Sequence, residues 1–125
     1  MKIKIRNIEF IGSSLDDLSA MPIKIKANFG HSLWEAQRGE YPVLAKPLSD
    51  FGNANVIIEL KANSSDGTYR AVYTVPFADA IYVLHCFKKK STSGISTPKP
   101  DIELIKKRLK IAIETDRMKR GNCNG

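Results

Sequence analysis

Cysteine is scarce in this chain: Cys86 and Cys123 are the only two in 125 residues. They form no metal-ligand spacing and no disulfide framework, so the expectation is a reduced, cytoplasmic protein with no structural metal. Long apolar runs are also missing. No window approaches the roughly 18 unbroken apolar residues of a membrane span. The lysines near the N-terminus are not followed by the apolar stretch of a signal peptide. A glycine-rich phosphate loop, a paired-cysteine metal motif and a serine or cysteine triad are absent, which removes nucleotide-cradling and triad-hydrolase chemistry. No cofactor is expected.

A hydrophobic content of 42% supports a packed core. The length fits one domain over residues 1–120, with 121–125 as a frayed tail. The net charge of +7 is unevenly spread. Residues 1–87 carry nine basic and nine acidic side chains, whereas residues 88–125 carry eleven basic and four acidic. The whole excess therefore sits in the last third, where a basic field attracts polyanions. The bland alternative, a solvated helix face and a basic tail, carries equal weight at this point.

Hydropathy patterning predicts α+β architecture. Met1–Ile11 reads as a short edge strand guarded by Lys2, Lys4 and Arg6. Ser13 or Ser14 caps a short helix through Ala20. A second helix over 23–38 follows Pro22, with Ile23, Ala27, Leu33, Trp34 and Gln37 near one stripe and Gly39 as its stop. Residues 40–54 read as a loop. Asn55–Lys61, Thr68–Val75 and Ile81–Lys88 then form an antiparallel meander, turning at Ser64–Gly67 and Pro76–Asp79. Pro98 and Pro100 bracket the start of a basic C-terminal helix that ends near Met118. Its inner stripe is Ile102, Ile105, Leu109 and Ala112.

The chemistry-bearing residues cluster on this meander. Metal-free RNA cleavage needs a base for the 2′-hydroxyl, a cation for the phosphorane and an acid for the leaving oxygen. Arg70, His85 and Lys89 supply those types as candidate catalytic groups. Lys61, Lys88, Lys90, Lys106 and Lys107 are candidate phosphate contacts. Each has a plainer alternative. Arg70 can be a surface charge paired with Glu59, His85 a core histidine, and Lys88–Lys90 a solubilised strand end. The alternation alone does not fix whether Arg70 and His85 share a face.

The segments TYRAVYTV (68–75) and IYVLHCFKKK (81–90), followed by STSGISTP (91–98), carry a family pattern. They resemble phage-derived toxins of the RelE/HigB superfamily through Tyr69, Arg70 and Tyr73, through Tyr82–His85, Phe87, Lys89 and Lys90, and through Thr97 and Pro98. The earlier segments GSSLDDL, LWEAQRGEYP and AKPLSDFG are similar to that group too. The resemblance implies the RelE-like fold, with N-terminal helices on a three- to four-stranded antiparallel sheet. It implies a ribosome-dependent mRNA endonuclease that blocks translation, and neutralisation by a cognate antitoxin of helix-turn-helix type. Ribosome and mRNA are then the expected partners, with no membrane. The same scaffold also hosts gyrase-inhibiting toxins that cut nothing, and an inactive nucleic-acid-binding protein is a further alternative. One departure is visible: no aromatic residue follows Phe87, although some members stack a C-terminal tyrosine on the base.

Overall fold

A computed structural model describes residues 4–48, 57–89 and 97–123. The elements run β1 (Asn7–Phe10), α1 (Ser14–Ser19), α2 (Ile23–Gln37), β2 (Ala45–Pro47), β3 (Ile57–Ser64), β4 (Gly67–Thr74), β5 (Ala80–Lys89) and α3 (Lys99–Cys123). The strands form one sheet in the order β1-β5-β4-β3-β2.

The α+β architecture is the one expected, but the sheet is larger and mixed. The meander β3-β4-β5 is antiparallel with short connections. β1 adds to its outer side parallel to β5, pairing Asn7 with Ala80 through Phe10 with Val83. A parallel neighbour needs a long crossover, and the helices and meander between β1 and β5 provide one. β2 comes from a segment expected to be loop. It is three residues long and pairs with β3 at the other edge, where Pro47 costs no ladder bond that an inner strand would need.

α1 and α2 cover one face of the sheet and α3 covers the other, with a separate core on each side. On the first face α2 inserts Ile25, Phe29, Leu33 and Ala36 against Ile58, Leu60, Ala71 and Val83. Burying an apolar side chain of this size contributes roughly 1.5–3 kcal/mol. The stripe differs from the expected one. Ile23 is 81% exposed and Trp34 is 44% exposed. Phe29 sits on the competing stripe and buries completely, so the helix turns that side inward. Trp34 instead packs under the Arg38 guanidinium, 4.7 Å from the ring centroid.

α3 buries Ile102, Ile105 and Ala112 against Val72, Tyr82 and Leu84. Tyr82 donates to the buried Asp116 carboxylate at 3.1 Å. Burial first, then that bond, pushes the phenol above its ordinary range. The helix continues to Cys123 rather than stopping near Met118. An interior Gly121 costs only about 1 kcal/mol, which a long helix tolerates. The expected tail at 121–125 is thus helical through Cys123, and its last two residues lie outside those described.

Arg6 does more than guard an edge. Its guanidinium donates to the carbonyls of Val75 (2.9 Å), Phe77 (3.1 Å) and Ala36 (2.8 Å). It thereby joins the end of α2 to the β4–β5 turn. At the opposite end of β4, Gly67 has φ +143°, and a Cβ built there would lie 2.8 Å from the Lys89 carbonyl oxygen. Gly67→Ala is expected to cost roughly 1–3 kcal/mol of stability, read as a lower urea midpoint. An unchanged midpoint would show that the hairpin relaxes freely.

Candidate functional site

The two-residue turn at Ser65–Asp66 sets the register of the β3–β4 hairpin: Ser64 opposes Gly67 and Lys61 opposes Arg70. Glu59, Lys61, Arg70 and Val72 therefore share the α3-facing side. Simple alternation along β5 would place His85 on the other side with Ile81 and Val83. The ladder shifts there: Tyr73 opposes Val83 while Val72 opposes His85, so Leu84 is one residue extra. Such a bulge moves every later residue to the opposite face. His85, Phe87 and Lys89 thus join Arg70 on the α3 side, and Cys86 and Lys88 turn towards α1.

Beneath the start of α3 lies a polar layer. Arg70 Nη1 donates to both carboxylate oxygens of Glu59, at 2.9 and 3.0 Å. Thr97 Oγ1 donates to the same carboxylate at 3.0 Å, and Lys46 Nζ stands 3.7 Å away. The Glu59 and Arg70 side chains are 0% and 2% exposed. Arg70 pairs with Glu59, as the plainer alternative held, but inside the protein rather than on its surface. His85 Nε2 lies 2.7 Å from Asp101 Oδ1 in the first turn of α3. The ring stacks on Phe87 with centroids 4.5 Å apart. His85 Nδ1 is buried with no hydrogen-bond partner among the described residues. Two ties, Thr97 to Glu59 and Asp101 to His85, thus fix the start of α3 to the sheet.

The face emerges from beneath α3 towards the hairpin end, where Lys61, Thr68 and Lys89 are partly exposed. The structure therefore gathers Arg70, His85, Lys61 and Lys89 on one face, the first two enclosed and the last two at its rim. It does not gather the others there. Lys106 and Lys107 are exposed on the outward side of α3. Lys90 lies outside the described residues. Lys88 sits on the α1 side, bonded to Asp66 at 3.0 Å and 5.7 Å from the Tyr69 ring centroid.

Tyr69 also donates to Asp66, at 2.9 Å. The Lys88 hydrogen bond, then the Tyr69 bond, hold the Asp66 carboxyl down from 3.8 to about 2. A depressed carboxyl stabilises the fold above its unfolded value near 3.9 and loses that contribution as pH falls through about 2. An NMR titration of Asp66 is expected to show the low midpoint, which should rise towards 3.8 in Lys88→Ala. An ordinary midpoint in the unmodified protein would contradict this contact. On the same side Cys86 is a buried free thiol, pushed up to about 12 chiefly by burial, which makes it a core residue rather than a nucleophile.

Sequence reasoning missed Thr97, Lys46 and Asp101 as members of the polar layer. Glu59 carried the clearest signal. It is a carboxylate in the apolar run NVIIEL, and counting back from the turn sets it diagonal to Arg70 across the hairpin.

Comparison with known proteins agrees with the coarser part of the resemblance. Residues 16–110 match the family model described as "Phage derived protein Gp49-like (DUF891)". The chain belongs to this phage-derived family, which is associated with toxin–antitoxin systems. No curated protein matches the chain.

Proposed function

We propose that this protein is the toxin of a toxin–antitoxin pair and that it cuts mRNA on the ribosome, as RelE/HigB-type toxins do. One observation carries the reading: His85, Arg70, Lys61 and Lys89 share one sheet face, with a carboxylate on the histidine. In this reading Asp101 orients the His85 ring through Nε2, and the buried Nδ1 exchanges a proton with the RNA once binding has uncovered it. Lys89 and Lys61, at the rim, stabilise charge on the phosphate. Arg70, locked to Glu59, sets the floor beneath them, its charge offset by that carboxylate. Lys106 and Lys107 hold the RNA backbone from the outer side of α3. Neutralisation falls to a cognate antitoxin, and its identification as a helix-turn-helix protein rests on the family resemblance. No helix among the described residues is long and apolar enough to cross a membrane.

The direct test is purified protein added to ribosomes translating a defined message. Cleavage of the translated message, with free RNA left intact, supports the proposal. A second reading, a gyrase-inhibiting toxin that cuts nothing, is favoured by the enclosure of Arg70 and His85. Intact message together with gyrase inhibition would select it.

A further inference from the structure

The register of β3, β4 and β5 lays the α3-side residues out in rows of three. Glu59, Val72 and His85 make the first row, Lys61, Arg70 and Phe87 the second, and Asn63, Thr68 and Lys89 the third. Neighbours within a row stand roughly 5 Å apart, and successive rows roughly 7 Å apart. Exposure grows along the rows. The first is buried, the second is partly open at Lys61 and Phe87, and the third reaches the surface at Asn63.

Two features of the outer rows have no part in the proton transfer and phosphate contacts assigned above. In the third row Thr68 Oγ1 donates to Asn63 Oδ1 at 3.1 Å. That bond fixes the amide. Oδ1 keeps a second lone pair, and Nδ2 donates to none of the described residues. Asn63 therefore offers a donor and an acceptor side by side, the pattern that the edge of a nucleobase complements. In the second row the Phe87 ring stacks on His85, with centroids 4.5 Å apart and planes 15° from parallel. His85 precedes it by two residues on the same face, so the far face of the ring is turned along β5 towards the third row. Among the described residues, His85 is its one ring partner.

We propose that Phe87 and Asn63 form a site for one unpaired nucleobase of the bound RNA, with Asn63 as the residue that reads it. The base extends the His85–Phe87 stack by one ring, and its edge meets the Asn63 amide. Stacked bases on aromatic side chains, read by hydrogen bonds to their edges, are the usual mode of single-stranded RNA recognition. Lys61 and Lys89 flank the position on both outer strands, where the attached phosphate lies. The larger purine ring covers more of Phe87, which gives purines a modest advantage. The inference rests on the RNA-binding role proposed for this face and adds what selects the nucleotide there.

The test uses the labelled full chain and nucleoside 3′-monophosphates, which hold a base and a phosphate but no bond to cut. Adenosine 3′-monophosphate is expected to shift the Asn63 side-chain amide and the Phe87 ring as well as Lys61 and Lys89. Inorganic phosphate should shift only the lysines. Asn63 is exposed, so Asn63→Ala should keep the urea midpoint while weakening nucleotide binding several-fold and leaving phosphate binding unchanged. Phe87→Leu should weaken nucleotide binding by about tenfold or more. On translating ribosomes Asn63→Ala should flatten the base preference of the cuts. The proposal is overturned if the nucleotide and inorganic phosphate give the same shifts, or if Asn63→Ala binds both as the unmodified protein does. Either result would make the Asn63–Thr68 bond an ordinary cross-strand pair, even if ribosome-bound message is cut. Nucleotide-specific shifts at Asn63 with every message left intact would support the base site and remove only the cleavage reading.

Discussion

Replacing Glu59 by alanine is expected to lower the unfolding free energy by about 3–5 kcal/mol, because it strands the Arg70 guanidinium inside the protein. Arg70 is 2% exposed and makes two of its hydrogen bonds to that carboxylate. The same substitution leaves Thr97 Oγ1 without its acceptor and loosens the start of α3. Urea denaturation reads the loss as a lower midpoint. The double variant Glu59→Leu/Arg70→Met removes both charges and keeps most of the volume, so it should recover much of the stability. A loss below about 1 kcal/mol in Glu59→Ala, the range of an exposed pair, would show that water reaches the layer and that Arg70 is not held as described. The consequence for function is practical. Arg70→Ala leaves Glu59 buried against the Thr97 hydroxyl, with Lys46 Nζ 3.7 Å away in place of the guanidinium. A loss of toxicity in that variant therefore reports folding as much as chemistry.

His85→Gln is the cleaner functional probe. It preserves a polar group of similar reach towards Asp101 and removes the proton-transfer capacity. On programmed ribosomes it is expected to slow single-turnover cleavage by about 10²–10⁴-fold, the usual contribution of a general acid or base. Its urea midpoint should stay near that of the unmodified protein, which separates the effect from that of Glu59→Ala. Unchanged cleavage would remove His85 from the chemistry and leave the lysines to act alone.

Much of the fold was legible in the sequence because the meander obeys period-2 alternation and its turns carry Gly, Asp and Pro. The inner stripe of α3 was legible too, since Ile102, Ile105 and Ala112 stand among charged neighbours. α2 was not, because its apolar residues fit two stripes and only the volume of Phe29, buried against the sheet, decides between them. The site was legible in its residue types and less so in its geometry. A single extra residue at Leu84 moves His85 and Lys88 each to the face opposite the one alternation assigns, and nothing local in the run IYVLHCFK marks a bulge. The pairing of Thr97 with Glu59 and of Asp101 with His85 spans 38 and 16 residues, a separation that periodicity does not reach.

The central claim, cleavage of translated mRNA by the face that carries His85 and Lys89, is tested most directly by inducing the protein in a bacterial host and mapping mRNA 5′ ends during growth arrest. The account predicts new ends inside translated frames that disappear in His85→Gln and Lys89→Ala while both variants remain folded. Arrest with intact messages would contradict it, as would new ends that persist in both variants.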